Sequence, residues 1–531
     1  MTRWDYVMVG AGSAGCVLAD RLSAAGRSVL VLEAGGSDDD LLVKVPSLFS
    51  GLFQGPNDWN YTSDPEPGLC GRRLFLPRGR MLGGSSSMNA LIYMRGARED
   101  YDGWVRDHGA AGWSYDDVLP YFRRSETNAD IHDEFHGADG PLHVTTQRWL
   151  SPHAEAFIES AVGLGIERNP DFNGARQAGA GMFQMTAKDG KRCSAADAFL
   201  RPAMERPGVE VRTGALVRRV LIENNRAVGV EYERDGAVET VRAEQEVVLS
   251  AGAYNSPKLL MLSGIGPADH LPELGIDVVL DQPNVGEHLQ DHPLTLLHWS
   301  TSAAGTLAEA VDPAHMEQWL ADGTGMLTSN AAEAAVLWRS DPSLAIPDFQ
   351  LIFVPGWFWE HGMRRPAEPG MTIGLSYNGP SSRGRLRLRS ADPSAAPRIV
   401  SNLLSQESEV QAVLRAVDLA DEIASTGPLS EVLDERLDPG AGIDPRDWVR
   451  AETQHMYHPT STARIGSAAD GVVDAELRVH GIEGLRVVDA SVMPRIPSGN
   501  TNAPTIMVGE RGADLLLGRT SAPRATAGVA G

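Results

Sequence analysis

A glycine-rich turn between two apolar strands is the feature that most constrains the fold of this chain. WDYVMV (residues 4–9) is followed by GAGSAG, by CVLADRLSAAG with the apolar spacing of a helix, and by a second strand within SVLVLEAGG. In such a β-α-β unit Gly10 allows the tight turn, Gly12 lets the backbone approach a pyrophosphate, and Gly15 permits close helix packing. The pattern predicts a Rossmann-like dinucleotide-binding domain.

The phosphate site of this unit is predicted at the start of its helix. Ser13 and Ala14 begin that helix, where free N–H groups and the helix dipole favour an anion. Glu33 ends the second strand, just before Ala34, where a carboxylate accepts hydrogen bonds from ribose hydroxyls and repels a 2′-phosphate. The fingerprint alone does not choose between NAD and FAD.

The composition of the chain limits the classes of binding partner and the cellular compartment that we expect. The 531 residues, 42% hydrophobic and 22% charged, are enough for two or three packed domains. A net charge of −23, from 47 basic and 70 acidic residues, repels phosphate backbones, so we expect no nucleic-acid partner. Three cysteines without a CxxC pair are typical of reduced thiols, and no apolar run approaches the ~20 residues of a transmembrane segment. We expect a cytoplasmic protein and leave peripheral membrane contact open.

A second glycine-rich motif bears on the choice of cofactor. In PRGRMLGGSSSMNALIYMRG (77–96), Gly83 and Gly84 precede three serines beginning at Ser85. Consecutive backbone N–H groups and hydroxyls form a nest suited to a second contact with a large phosphorylated cofactor. The flanks, which include Arg80 and several apolar residues, are too apolar for a flexible linker. AGAYNSPKLLMLSGIG (251–266), which follows the apolar strand EVVLSAG, has the composition of another strand-turn-helix crossover.

With NVGEHLQDHP (284–293), HPTSTARIG, LRVVDASVMP and GNTNAPTIMVGERGADLL, these blocks resemble the glucose–methanol–choline (GMC) oxidoreductase family over nearly the whole chain. Choline and long-chain alcohol dehydrogenases look closer than sugar oxidases. The resemblance implies an α/β (α+β) fold, with a Rossmann-like FAD-binding domain and a discontinuous substrate domain built on an antiparallel sheet flanked by helices. We predict the FAD-binding domain at 1–124, 201–293 and 461–519, the substrate domain at 125–200 and 294–460, and a disordered tail at 520–531. Segment 51–76 is either a lid over the flavin or a surface connection.

The same resemblance implies a set of residues that bind FAD through its ADP half, its pyrophosphate, its ribityl chain or its ring. In chain order they are Gly10, Gly12, Ser13, Ala14, Gly15, Glu33, Ala34, Arg80, Gly83, Gly84, Ser85, Asn89, Ala90, Val217, Ala251, Gly252, Asp489, Ala490, Asn500 and Thr501. Some choline-oxidising relatives carry, at the place of Met88, a histidine bonded covalently to the flavin. Methionine cannot form that bond, so we expect noncovalent, dissociable FAD.

Two histidines in QHMYHPTSTARIG (454–466) raise a choice between a metal site, a base and packing. Pro459 disfavours helical geometry at His458, so His455 and His458 do not form a helical metal pair, and no HExxH motif or cysteine cluster appears. We expect no metal. Removing the hydroxyl proton of an alcohol near neutral pH calls for a histidine, and His458 matches the catalytic histidine of the family. His455 is interpreted as structural.

Asn500, where relatives carry His or Asn, can donate a hydrogen bond to a substrate oxygen but cannot take its proton. Helix capping is its alternative role. Glu333 and His361 fall where choline-oxidising relatives have pocket residues. Trp357, in the aromatic stretch VPGWFWEHG, would complete a lining of tryptophan and carboxylate that can hold a quaternary ammonium. A glutamate also occurs there in relatives that act on uncharged alcohols.

We therefore predict FAD-dependent oxidation of a primary alcohol to the aldehyde, with uncharged aliphatic or benzylic alcohols favoured over choline-type cations. The electron acceptor is oxygen, a quinone or another carrier, and neither the acceptor nor the oligomeric state is readable. Three alternatives remain: a flavin-containing hydroxynitrile lyase, a flavin-binding carrier without turnover, and a nicotinamide dehydrogenase. A nicotinamide dehydrogenase would leave the second glycine motif unexplained. A flavin-binding carrier would leave His458 and Asn500 without a role.

Overall fold

The N-terminal β-α-β unit forms where the sequence predicts it, as strand Trp4–Val9, helix Ser13–Ala24 and strand Val29–Leu32. The computed structural model describes residues 3–364, 366, 368–440 and 442–519. The tail predicted to be disordered, 520–531, lies outside the described residues. The helix predicted within AGAYNSPKLLMLSGIG (251–266) is also present, as Gly252–Leu262.

The two strands of the β-α-β unit belong to a parallel sheet. Its strands, in spatial order, are Val209–Arg212, Val29–Leu32, Trp4–Val9, the end of Ala237–Leu249, and Leu485–Val487. The start of Ala237–Leu249 pairs instead in antiparallel fashion with Arg226–Arg234, which pairs with Leu216–Glu223. The helix Ser13–Ala24 packs against the helix Asn502–Leu516. In the middle of the sheet Val29–Leu32 is a wholly apolar, buried run, as expected for a parallel strand covered on both faces, whereas Val209–Arg212 at the edge alternates.

A six-stranded antiparallel sheet forms the second part of the molecule. Its spatial order is Gln454–His455, Pro293–Ser300, Gly370–Tyr377, Phe349–Val354, Ala334–Trp338 and Gly179–Met182. The helices Pro152–Gly163 and Glu407–Ala424 pack on one face of it. These strands come from the two stretches predicted to form a discontinuous substrate domain, and the fold class is confirmed. The limits of the domains remain a prediction.

Shorter elements complete the described chain. The remaining α-helices are Leu41–Lys44, Arg98–His108, Tyr115–Ser125, Arg201–Met204, Pro313–Asp322 and Pro445–Glu452. Two-stranded pairs are Tyr61–Thr62 with Phe75–Leu76, Glu126–Asn128 with Leu142–Val144, Ala187–Lys188 with Lys191–Arg192, Ile265–Gly266 with Leu280–Asp281, and Arg385–Arg387 with Arg398–Val400. Among the described residues, no helix combines the length and apolar character needed to span a bilayer.

Candidate functional site

A large cavity lies between the two sheets, with about 2050 Å³ of space including its open mouth. We call the part lined by Gly10, Gly12, Glu33 and Val217 the Rossmann end. The part lined by Leu294, Leu296, Ile352, Val354, His458 and Asn500 is the antiparallel end. One continuous space therefore joins the two ends.

Glycines shape the Rossmann end because side chains would not fit there. Gly10 has a φ of +101°, and a Cβ on it would lie 2.5 Å from the backbone oxygen of Ser250. A Cβ on Gly15 would lie 2.1 Å from the backbone oxygen of Gly10. The helix Ser13–Ala24 begins at Gly12 without a side-chain cap, so its first N–H groups are available to an anion in the cavity.

The two glycine motifs, separate in the chain, meet in space. Gly83 and Gly84 both have positive φ angles, +82° and +53°. A Cβ on Gly84 would lie only 2.8 Å from the Cα of Gly12. The backbones of the two motifs therefore touch, and together they form a cradle that only glycine allows.

Glu33 is held at the end of its strand by the backbone. Its Oε2 accepts from the Ala11 N–H at 2.8 Å and its Oε1 accepts from the Gly35 N–H at 2.8 Å. Burial raises the pKa of Glu33, and these backbone hydrogen bonds oppose the rise. Each carboxylate oxygen keeps a second lone pair, which a ribose hydroxyl can use.

Two further helices begin at the cavity. Asp489 Oδ2 accepts from the Gly252 N–H at 2.9 Å, at the start of Gly252–Leu262. The helix Asn502–Leu516 begins after Thr501, which provides no side-chain cap. The starts of Ser13–Ala24 and Asn502–Leu516, which have no side-chain cap, lie beside a glycine backbone cradle and suit an anionic pyrophosphate, so the residues present fit FAD.

Most of the predicted cofactor residues lie in the cavity wall. These are Gly10, Gly12, Ser13, Ala14, Glu33, Ala34, Gly84, Ser85, Asn89, Ala90, Val217, Ala251, Gly252, Asp489, Ala490, Asn500 and Thr501. Gly15, Arg80 and Gly83 are not part of the wall. Arg80 lies behind it, with its guanidinium 5.0 Å from the ring centre of Trp59, a wall residue that the sequence did not indicate.

His458 and Asn500 meet at the antiparallel end. Asn500 Nδ2 lies 3.2 Å from His458 Nε2, and Asn500 Oδ1 accepts from Gln350 Nε2 at 3.2 Å. Because Gln350 occupies the amide oxygen, the amide NH₂ group is directed at His458. Both side chains are nearly buried and both line the cavity.

Behind His458 stands a second histidine that sequence reasoning missed. His292 Nδ1 lies 3.0 Å from His458 Nδ1, and the two rings are nearly perpendicular at 88°. Asp291 Oδ1 accepts from the backbone N–H groups of His292 and His458, each at 2.8 Å. Asp291 Oδ2 lies 2.9 Å from His455 Nδ1. His455 is fully buried in this contact and does not line the cavity, which agrees with a structural role.

The contacts of His458 favour a neutral ring with an accessible Nε2. Burial, and then the neighbouring His292, lower the pKa of His458 to about 3, against the opposing effect of Asp291. A proton on Nδ1 would be donated to His292, which leaves the lone pair on Nε2, where it meets the Asn500 amide and could accept a proton from a substrate. Tyr457, with a φ of +65°, turns the chain so that His458 faces the cavity, and Arg78 donates to the Tyr457 carbonyl at 2.6 Å.

Glu333, Trp357 and His361 do not line this cavity. Glu333 is fully buried, accepts from Ser329 Oγ at 2.6 Å and from the Ser151 N–H at 2.8 Å, and burial raises its pKa to about 7. Trp357 stacks on another tryptophan. His361 Nδ1 lies 2.6 Å from the hydroxyl of the wall residue Tyr457, so it reaches the cavity only indirectly.

Apolar side chains line the antiparallel end instead, and no motif in the sequence predicts which apolar residues they are. They are Phe49, Phe53, Ile92, Leu294, Leu296, Ile352, Val354, Phe358 and Met456. Segment 51–76, interpreted as either a lid or a connection, contributes Phe53 and Trp59 to the wall. Met88 also lies in the wall.

Outside the cavity wall lies a cluster of three residues whose side chains could bind a metal ion, namely Asp133, His136 and Asp171. Both ring nitrogens of His136 are engaged, at 3.0 Å from Glu126 Oε1 and at 3.0 Å from Asp171 Oδ2. Burial opposes protonation, but these two contacts outweigh it and raise the pKa of His136 to about 9. In the described residues His136 is thus held between two carboxylates, as in an ion-pair network.

Comparison with known proteins gives a consistent set of relatives. Residues 4–294 match the N-terminal model of the family described as GMC oxidoreductase, and residues 380–509 match the C-terminal model. Oxygen-dependent choline dehydrogenase from Sinorhizobium fredii is 41% identical, over 97% of this chain and 96% of its own.

Solved structures agree with these sequence matches. Pyridoxine 4-oxidase from Mesorbium loti superimposes with a TM-score of 0.88 at 30% identity, covering 96% of this chain and 98% of its own. Formate oxidase from Aspergillus oryzae superimposes with a TM-score of 0.91 at 26% identity, covering 97% of this chain and 98% of its own.

Proposed function

Since the chain belongs to the GMC oxidoreductase family and is an FAD-dependent oxidoreductase acting on CH–OH groups, we propose that it oxidises a primary alcohol to the aldehyde with His458 as base. Asn500 would hold the substrate oxygen. The observation that carries this proposal is the 3.2 Å contact between His458 Nε2 and Asn500 Nδ2 at the wall of the cavity.

The division of labour follows from the chemistry of the two side chains. When bound, FAD would supply the acceptor for the hydride that leaves the alcohol carbon. His458 Nε2 would take the proton of the hydroxyl group, so that a carbonyl group would remain. His458 accepts the proton because its ring is neutral and its Nδ1 is already engaged by His292. The Asn500 amide donates to the oxygen while negative charge develops on it, and it takes no proton.

We propose that the FAD is held without a covalent bond. Met88 stands in the cavity wall at the place where the linking histidine of some relatives is expected. Acid precipitation should leave the yellow colour in the supernatant. A yellow pellet would contradict a dissociable cofactor.

For the electron acceptor we propose oxygen, or else a quinone or another carrier. The curated relative is named oxygen-dependent, which supports the first of these.

The three cysteines are free thiols, which supports a cytoplasmic location.

The test is an anaerobic titration of the purified holoprotein with a panel of alcohols, followed by admission of air or a quinone. Loss of the flavin absorbance at 450 nm on mixing with an alcohol would support oxidation, and the reagent that restores the absorbance names the acceptor. A hydroxynitrile lyase would cleave a cyanohydrin and leave the flavin oxidised in the presence of every alcohol. Cyanide release from mandelonitrile is therefore measured in parallel.

A choline-type substrate is the second candidate, and the full-length match to choline dehydrogenases favours it. Choline and neutral alcohols are therefore both included in the panel.

A further inference from the structure

We propose that the alcohol is uncharged and apolar, and that its carbon chain lies along the antiparallel end and is directed towards Phe49 and Phe358, which separate this end from a second chamber. This inference rests on the proposed function, because it assumes that the hydroxyl group lies at His458 and Asn500. It goes against the substrate named for the curated relatives.

The first argument is the position of the carboxylates. Among the described residues that line the cavity, the acidic side chains are Glu33 and Asp489. Glu33 accepts from the backbone at the Rossmann end, and Asp489 accepts from Gly252, Ser256 and Ser491. Neither belongs to the apolar wall beside His458. A quaternary ammonium buried there would have no carboxylate partner, and burial of an unpaired charge is strongly unfavourable.

Glu333 does not supply the missing charge. It lies outside the cavity wall, and each of its oxygens accepts a hydrogen bond, from Ser329 and from Ser151. The basic residue Arg78 does line the cavity, and a cationic substrate would be repelled by it. The aromatic rings of the wall could still attract a cation, so a comparison of matched substrates is needed.

The second argument is the shape of the apolar wall. Leu296, Gly374 and Ile352 stand side by side on three neighbouring strands. A Cβ on Gly374 would lie 3.3 Å from Leu294 Cδ1 and 3.4 Å from Leu296 Cδ2. The side chains of Leu294 and Leu296 therefore close over Gly374. Together with Ile352 they present an apolar surface to the cavity that suits a hydrocarbon group.

The third argument is the second chamber. Phe49, Ala331, Val354 and Phe358 line both the main cavity and an adjoining space of about 1110 Å³ including its opening. The ring centres of Phe49 and Phe358 are 6.3 Å apart. Beyond them the adjoining space is lined largely by apolar residues, namely Leu307, Ala308, Ala310, Val311, Gly356 and Trp357.

The second chamber lies next to the protein surface. Val311, in its wall, is 77% exposed. Apolar residues therefore continue from the wall beside His458, through the two phenylalanines, to the segment Leu307–Val311. Such a lining suits the tail of a hydrocarbon alcohol better than a compact, hydrated cation.

The decisive experiment compares choline with 3,3-dimethylbutan-1-ol, in which a carbon atom replaces the charged nitrogen. The two alcohols have nearly the same shape, so their difference reports on charge alone. Rates of flavin reduction are measured anaerobically against alcohol concentration, in the wild-type holoprotein. We expect the second-order rate constant for the neutral alcohol to exceed that for choline by at least about tenfold, which is about 1.4 kcal/mol.

A binding measurement supports the kinetic one. In the His458→Ala holoprotein, dissociation constants of both alcohols are read from the perturbation of the oxidised flavin spectrum, and the neutral alcohol should bind more tightly. Equal or faster reduction by choline would overturn the inference and leave the proposed function intact. Failure of every alcohol to reduce the flavin would instead overturn the proposed function and the inference with it.

Two wall variants test where the carbon chain lies. Gly374→Val should push the side chains of Leu294 and Leu296 into the cavity, narrow it, and lower the ratio of hexan-1-ol to ethanol reduction rates. Leu296→Ala should enlarge the cavity and raise that ratio. Because the two changes act in opposite directions, a general loss of stability cannot imitate both. FAD content and melting temperature are checked for each variant. An unchanged ratio in both folded variants would show that the chain lies elsewhere and would overturn the proposed placement.

Discussion

The two ends of the cavity are built from different kinds of contact. At the Rossmann end, backbone packs on backbone, and Gly12 and Gly84 are so close that an added Cβ would lie 2.8 Å from a Cα. At the antiparallel end, side chains from separate strands and loops converge, as in the contacts of Asn500 with His458 and Gln350. One end is determined by main-chain conformation and the other by side-chain identity.

This difference teaches how one fold can keep its cofactor and change its substrate. A substitution at Gly10 or Gly84 disturbs the main chain and whatever it holds. A substitution at Ile352 or Leu296 alters the shape of the wall while the glycine cradle stays as it is. On the proposed function, the reaction type would depend on the Rossmann end and the His458–Asn500 pair, and the choice of substrate would depend on the apolar wall.

The largest effect should come from the base at the antiparallel end. We expect His458→Ala to slow anaerobic flavin reduction by about 10²–10⁴-fold, the usual contribution of a positioned base. FAD content should stay at the wild-type level, because His458 belongs to the side-chain-built end. Rapid-mixing absorbance at 450 nm measures both quantities. Reduction within about tenfold of wild type would remove His458 from this role.

Asn500→Ala is the matched variant for that measurement. It removes the partner of His458 Nε2 and leaves the base in place. We expect a smaller loss than in His458→Ala, because an amide positions the oxygen without accepting its proton. A loss as large as that of His458→Ala, or larger, would mean that the two roles are reversed.

The next largest effect should come from the Rossmann end. Gly10→Ala places a methyl group 2.5 Å from the Ser250 oxygen at a φ of +101°. We expect FAD affinity to fall by at least about tenfold and the melting temperature to fall with it, since the cradle must move. Equilibrium dialysis and thermal unfolding measure the two changes.

Gly26→Ala is the control for backbone strain alone. Gly26 also has a positive φ, +77°, but a Cβ there would meet nothing within 4 Å. Its FAD affinity should stay within about twofold of wild type, with a stability loss of about 1–2 kcal/mol from the left-handed conformation. Equal loss of FAD affinity in both variants would show that the cradle is not built by close backbone packing.

The same contrast explains how far the sequence could predict the site. Gly10, Gly12 and Glu33 lie within one short stretch, and the backbone geometry that they require is local, so the stretch predicts both the fold class and the cradle. Glu333, Trp357 and His361 were assigned by their position along the chain. The residues of the wall are instead those on the face of each antiparallel strand that points into the cavity.

That face is not visible in the composition of a single strand. In Phe349–Val354 all six residues are buried, so hydrophobicity cannot distinguish Ile352, in the wall, from its neighbour Leu351. His292 was also missed, because its contact with His458 joins residues 166 positions apart. That contact follows from the pairing of Pro293 with His455 in the antiparallel sheet. Such long-range pairings are set by tertiary packing, which no local pattern encodes.

A smaller effect should come from the residue that orients Asn500. Gln350→Leu keeps a similar volume but removes the donor to Asn500 Oδ1, so the amide can rotate away from His458. One such hydrogen bond is worth about 0.5–1.5 kcal/mol, which corresponds to about two- to tenfold in the rate of flavin reduction. In Asn500→Ala the same Gln350→Leu change should have no further effect, because there is no amide left to orient. Additive losses in the double variant would contradict this coupling.

The smallest effect should be that of pH on the wild-type reduction rate. Burial and His292 lower the pKa of His458 to about 3, so the neutral ring, which is the active form of a base, persists above that value. With a neutral alcohol, the rate should therefore change by less than about twofold between about pH 9 and pH 6. A hydrated histidine with a pKa of about 6.5 would instead be about three-quarters protonated at pH 6 and would lose about fourfold in rate. An inflection near pH 6.5 would thus mean that water reaches the ring when cofactor and substrate are bound. The antiparallel end would then lack the dry, apolar character on which its preference for an uncharged alcohol depends.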